Sequence, residues 1–181
     1  LFAHGFDDRR NKIYRVKKFE KQISKFLNVK FCIATTSGTM AQYIAMKSLG
    51  IKKGDEVITQ SFTFVATVEA ILAIGAKPII TEIDETFNMC TKDLKKKISK
   101  KTKLIIPVPM LGNQCDMKTI KKIAKKNNIK ILEDACESLG AKLGNKYVGT
   151  LGDIGVYSLD FAKTITTGEG GLIVTNNKKI Y

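Results

Sequence analysis

What the sequence lacks narrows it first. No apolar run among the 181 residues approaches the roughly 18 to 20 that cross a bilayer, and residues Leu1 to Arg10 carry no apolar secretory segment. A cytoplasmic protein is the expectation, with no membrane partner. The single histidine is His4, and the four cysteines, Cys32, Cys90, Cys115 and Cys136, lie far apart with no C-x-x-C pair. That spacing argues against structural zinc and against a disulfide framework, so no metal site is expected. No G-x-x-x-x-G-K-[ST] loop is present, and Gly149, Gly152 and Gly155 miss the G-x-G-x-x-G dinucleotide pattern. Internal repeats, low-complexity tracts and flexible linkers are also missing. The length leaves room for one core or slightly more.

Acidic residues are scarce beside basic ones, 17 against 31, which gives a formal net charge of +14. All the basic residues except Arg9, Arg10 and Arg15 are lysines, and groups such as Lys95-Lys96-Lys97 and Lys125-Lys126 fall on helix faces between apolar strands. No aromatic residues are interleaved with them, as a nucleic-acid surface would require, so they read as solvated faces and no nucleic-acid partner is expected. The field would still draw in anionic small molecules.

What is present is a regular alternation of two periods. Val16, Phe19, Ile23, Phe26 and Leu27 recur at helical spacing and predict an amphipathic helix over about 14–27. Further helices are predicted from the Thr36–Thr39 turn to about Leu49, over about Thr63–Ile74, over about Thr91–Lys100, and from an Asp116 cap to about Asn127. Strands are predicted at 31–34, 56–59, 79–83, 104–108, 130–133, 155–158 and 171–175. Seven strands in a βαβ alternation imply an α/β fold, a mostly parallel sheet with helices on both faces. In such sheets ligands sit beyond the carboxyl ends of the strands, which selects Ser37, Asp134 and Ser158.

The segment from Ser158 to Gly171 sets Lys163 in a polar, glycine-rich turn between two apolar runs, the setting of a Schiff-base lysine. Asp134 follows the apolar run Ile129 to Leu132 and could hold a ring nitrogen protonated. Glu133 is its rival by position, but alternation puts it on the opposite side of the strand. Ser37, Gly38 and Thr39 offer hydroxyls and backbone amides at a helix start, which suits a phosphate. A lysine amine, a carboxylate and a helix N-terminus are the three fixed points that pyridoxal 5′-phosphate requires. Phe64 could stack on its ring. Each residue taken singly also has an ordinary reading: Lys163 as a surface lysine, Asp134 as a turn aspartate, Ser37 to Thr39 as a helix cap, Phe64 as core.

Taken in order, several segments resemble one family, the DegT/DnrJ/StrS group of pyridoxal phosphate-dependent sugar aminotransferases. They are Val16–Glu20, Thr36–Thr39, Gly54–Ile58, Ser61–Thr67, Gly75–Pro78, Glu133–Ala135, Gly149–Asp153 and the Lys163 segment through Gly171. The resemblance implies the large domain of the type I aminotransferase fold over 1–181, with Lys163 as the Schiff-base lysine and Asp134 at the ring nitrogen. It further implies that Gly38, Thr39 and Ser158 hold the phosphate and Phe64 stacks on the ring. Glu137 stands where the family often has glutamine beside the cofactor's phenolic oxygen, a departure that would need a protonated carboxyl to donate.

By the same resemblance the reaction is transfer of an amino group from an amino acid, glutamate by expectation, to a keto-sugar for surface polysaccharide or lipopolysaccharide. A homodimer is implied, as is a small domain beyond these residues, without which the chain would be inactive. A sugar dehydratase of the same fold, with histidine at the lysine position, is disfavoured by Lys163; a non-catalytic binding or regulatory module is the alternative from another class. Two acceptor classes are carried, a nucleotide-linked keto-hexose and a 3-deoxy-octulosonate aminated at C8. The second rests on His4–Phe6, Phe64–Ala70, Glu82–Thr86 and Tyr157–Asp160 with Lys163–Gly168.

Overall fold

The computed structural model describes residues 7, 8 and 13–181, so the His4–Phe6 stretch lies outside the described residues. A two-residue ribbon, β1 (Asp7–Asp8) with β2 (Ile13–Tyr14), leads into α1 (Arg15–Leu27). The helix ends where Asn28 turns left-handed, φ 54°, and the Val29 N–H returns to Ser24 O at 2.9 Å. The expected alternation follows: β3 (Phe31–Thr35), α2 (Gly38–Ser48), β4 (Glu56–Gln60), α3 (Val65–Ala73), β5 (Lys77–Thr81), α4 (Thr91–Lys97), β6 (Thr102–Ile106), α5 (Met117–Asn127) and β7 (Lys130–Asp134). A hairpin that the sequence pattern did not reveal, β8 (Lys142–Leu143) with β9 (Lys146–Tyr147), precedes β10 (Ile154–Ser158) and β11 (Gly171–Thr175).

Seven strands form one sheet in the order β3-β11-β10-β7-β6-β4-β5. Every neighbouring pair from β10 to β5 is parallel, whereas β11 runs antiparallel to both β10 and β3. The exception has a local cause. Parallel neighbours need a crossover, usually a helix, but the segment between β10 and β11 folds back as a turn. Leu159 N–H donates to Gly170 O at 2.8 Å and Thr167 N–H to Leu159 O at 3.0 Å, so the chain returns directly.

Alternation along the strands builds two apolar layers. Leu104, Ile106, Leu132, Val156 and Ile173 pack with Ala41, Ala45 and Met46 of α2 and with Ala70 and Ile71 of α3. On the other face Ile58, Ile105 and Ile131 meet Leu94 of α4 and Ile120 and Ile123 of α5. Tyr157, Leu172 and Val174 pack with Leu27 of α1 in a third cluster. Some boundaries shift for identifiable reasons. Pro78 lies inside β5 rather than before it, which is tolerated because β5 is the sheet edge and a missing N–H breaks no ladder bond there. The helix α4 stops at Lys97, short of Lys100, because Ile98 is extended and Ser99 N–H turns to the Thr102 hydroxyl at 2.9 Å.

Glu133 shows the strand alternation at its most consequential. It is buried on the face opposite Asp134 and accepts from the backbone amides of Gly149, Leu151 and Gly152, tying the loop before β10 to β7. Burial pushes its carboxyl above the usual range although three N–H donors pull the other way. Glu133→Ala would leave three amides without their acceptor, so urea denaturation should show a loss of roughly 3–5 kcal/mol. A loss under about 1 kcal/mol would mean that this loop finds its own partners.

Candidate active site

The strands β3, β7 and β10 point the same way, and beyond their carboxyl ends lies a cavity of about 470 Å³. That volume is of cofactor size. All eight residues singled out from the sequence line it: Ser37, Gly38, Thr39, Phe64, Asp134, Glu137, Ser158 and Lys163.

One wall is the start of α2. Ser37 caps the helix, its Oγ accepting from Met40 N–H at 3.1 Å, which leaves the Gly38 and Thr39 amides among the donors without an intrahelical partner. Gly38 has no room for a side chain, since a Cβ there would lie 2.9 Å from Ser158 Cβ and 3.0 Å from Cys136 Sγ. The missing methyl lets the helix start abut the end of β10 and brings the Ser158 hydroxyl beside the two amides. The result is a cradle of N–H and O–H donors with a helix dipole behind it, the chemistry of a phosphate site.

The opposite wall is the turn that carries Lys163. Asp160 O accepts from Lys163 N–H at 3.0 Å, and Asp160 Oδ1 accepts from Ala162 N–H at 3.0 Å. Thr166 Oγ1 donates to Leu159 O at 3.1 Å, and Gly168, at φ 85°, supplies the left-handed residue the turn needs. These bonds fix the backbone around the lysine. Its Nζ lies 3.3 Å from Glu137 Oε1 and 5.5 Å from the centroid of the Phe64 ring. Phe64 is not a core residue: it precedes α3 and is 61% exposed, one ring face available at the cavity mouth.

Asp134 occupies the floor, 3% exposed. Its Oδ2 accepts from Gln42 Nε2 at 2.8 Å and from Thr67 Oγ1 at 2.6 Å, and its Oδ1 from Cys136 N–H at 3.3 Å. Burial pushes the carboxyl above its ordinary value, against the pull of the Thr67 hydroxyl and the Cys136 donors. Burial and the Asp134 charge likewise push the neighbouring Cys136 thiol well up, which keeps it neutral. A carboxylate held by neutral donors in a closed site is set to receive a cationic ring N–H.

Four further lining residues with polar or titratable side chains were not singled out from the sequence: Gln42, Cys136, Asp160 and Glu169. Gln42 had a legible signal. It shares the inner face of α2 with Gly38, Ala41, Ala45 and Met46, and a polar residue on a buried stripe asks for a partner. Glu137 meets the Lys163 amine rather than presenting a donor, and its Oε2 is buried with no partner among the described residues. With the amide cradle, the buried acid and the amine around one cavity, the residues present fit pyridoxal 5′-phosphate.

No helix among the described residues is long and apolar enough to cross a membrane. The profile of the DegT/DnrJ/EryC1/StrS aminotransferase family matches residues 10–181. GDP-perosamine synthase of Escherichia coli O157:H7 is 44% identical over 167 residues, 92% of this chain and 46% of that protein. Among solved structures, an aminotransferase from Psychrobacter cryohalolentis superposes with a TM-score of 0.89 at 35% identity, covering 91% of this chain and 42% of its own. The E. coli GDP-4-keto-6-deoxy-D-mannose-3-dehydratase, solved with hydrated PLP, gives 0.87 at 35% identity, covering 92% and 44%. The chain thus spans less than half the length of the relatives it matches. A profile match over almost the whole chain, together with identities of this size, means that the chain belongs to the DegT/DnrJ/EryC1/StrS aminotransferase family.

Proposed function

We propose that residues 1–181 form the cofactor-binding large domain of a pyridoxal phosphate-dependent sugar aminotransferase. The observation that carries the reading is the convergence of Lys163, Asp134 and the start of α2 on one cavity of about 470 Å³. Bound pyridoxal 5′-phosphate supplies an aldehyde that an amine can hold and a cationic ring that draws electrons away from the carbon gaining or losing nitrogen. Lys163 Nζ would be the amine that holds the aldehyde, and the same nitrogen would be the acid–base group that accepts and returns a proton. Asp134 holds the ring N–H, the Gly38 and Thr39 amides with the Ser37, Thr39 and Ser158 hydroxyls hold the phosphate, and Phe64 covers one ring face. Glu137 Oε1 orients the Lys163 nitrogen.

The amino donor in this reading is glutamate, and the acceptor is a nucleotide-linked keto-sugar destined for surface polysaccharide. The names of the relatives support a nucleotide-linked acceptor over a 3-deoxy-octulosonate, since GDP stands in two of those given above. A second copy completes the site in a cytoplasmic homodimer; the pairing is supported by the exposed apolar side chains Phe64 and Phe161, both of which line the cavity. Supplying the whole protein with glutamate and each acceptor class in turn is the test. Amination of nucleotide-linked keto-hexoses is expected, and product from the octulosonate alone would overturn the acceptor assignment.

Two variants test the residues. Lys163→Ala should keep the fold and its thermal transition but lose the borohydride-stable pyridoxyl adduct, which mass analysis should find on Lys163 in the wild type. An adduct on another lysine refutes the assignment. For Asp134, the raised carboxyl means that the folded, cofactor-free chain holds a proton that the unfolded chain has released. Stability from this group is therefore fully present below the ordinary carboxylate range near 4 and declines as pH rises through the raised value. Asp134→Asn should abolish that decline in melting curves recorded without cofactor, while slowing transamination far more than it weakens cofactor retention. Parallel melting profiles for the two proteins across this range would show that the Asp134 charge is not the cost.

A further inference from the structure

The amide of Gln42 is hard to explain by packing. It lies one turn into α2 beyond Gly38 and is 2% exposed, among Ala41, Ala45 and Met46. A buried amide must satisfy two N–H donors and an acceptor oxygen, and leaving one unmet costs about 1–3 kcal/mol. Nε2 is used, in the 2.8 Å bond to Asp134 Oδ2, but Oε1 is buried and without a hydrogen-bond partner among the described residues. An aliphatic side chain would fill the same space without that cost. The polar residue must answer to something other than the helix's own packing.

The bonds around Asp134 supply the reason. Oδ2 takes two donors, from Gln42 and from the Thr67 hydroxyl, which is itself 2.9 Å from the Thr63 hydroxyl. Among the described residues Oδ1 takes the longer 3.3 Å bond from Cys136 N–H, with the Cys136 thiol a further, weak donor beside the carboxyl. Two short bonds on one oxygen fix the rotation of the carboxylate and leave acceptor capacity on the other. Donors to a carboxylate also favour its anionic form over the neutral acid. The two donors thus oppose the burial that favours the neutral acid, and they bias a proton shared with a ring nitrogen toward the nitrogen.

We propose that Gln42 is a positioning residue for Asp134: together with Thr67 it holds Oδ2, leaving Oδ1 to a cationic heteroaromatic N–H. The assignment rests on the cofactor reading above and adds to it the group that decides where the ring proton sits. Its reach is the ring nitrogen, not the amine at Lys163.

The test uses the whole protein loaded with pyridoxal 5′-phosphate labelled with ¹⁵N in the ring. Gln42→Met keeps length and apolar packing while removing the amide, and Gln42→Leu is the alternative should the first not fold. In the wild type the ring-nitrogen NMR shift should be that of the protonated ring. In either variant it should move toward the unprotonated value, with kcat lower by about tenfold and a smaller change in KM for the amino donor. A variant that melts as the wild type does and keeps the protonated shift overturns the proposal, as does a wild-type ring that is unprotonated. Failure of the wild type to form any adduct at Lys163 would instead sink the cofactor reading, and the role of Gln42 with it.

Discussion

A carboxylate shut away from water at the end of β7 sets the terms for what surrounds it. Asp134 is buried, and its hydrogen-bond donors among the described residues are neutral: Gln42, Thr67 and Cys136. An ionised group in that position costs stability unless a cation or several donors meet it. The donors come from α2, from α3 and from the chain just past β7, so the helices on this face are placed where the acid needs them. Gly38 allows α2 to come close enough, since any side chain there would strike Ser158 and Cys136. The arrangement lowers the cost without removing it, which is why the carboxyl remains raised.

The adjacent residue shows what complete satisfaction looks like. Glu133 points to the other face and is met by three backbone amides of the 149–152 loop. Two buried carboxyls one residue apart therefore have different fates. Glu133 ties a loop to the sheet, whereas Asp134 keeps acceptor capacity turned toward a cavity. Strand alternation separates the two roles, because the faces of a sheet have different neighbours.

The turn between β10 and β11 couples topology to chemistry. Its internal hydrogen bonds send β11 back antiparallel, interrupting an otherwise parallel sheet, and they also fix the backbone that presents Lys163. A crossover helix would have continued the parallel pattern and carried the lysine elsewhere. Glu137, reaching from the segment after β7, meets the amine across the cavity at 3.3 Å. The two ends of the site thus follow neighbouring, directly paired strands, β7 and β10.

Much of this was written locally. Apolar periodicity marked α1, the caps at Ser37 and Asp116 marked the starts of α2 and α5, and a residue placed just after each apolar run marked Ser37, Asp134 and Ser158, because these signals depend on neighbours within one turn or one strand. The alternation that sets Glu133 apart from Asp134 is equally local. Tertiary structure alone decided the rest. The direction of β11 follows from hydrogen bonds that close the turn after β10, and the place of Pro78 inside β5 follows from that strand's position at the sheet edge. The Gln42–Asp134 bond joins residues 92 positions apart, and the Lys163–Glu137 pair spans 26. Periodicity carries which face a residue takes, but which residues meet across that face is set only when the strands are ordered in the sheet.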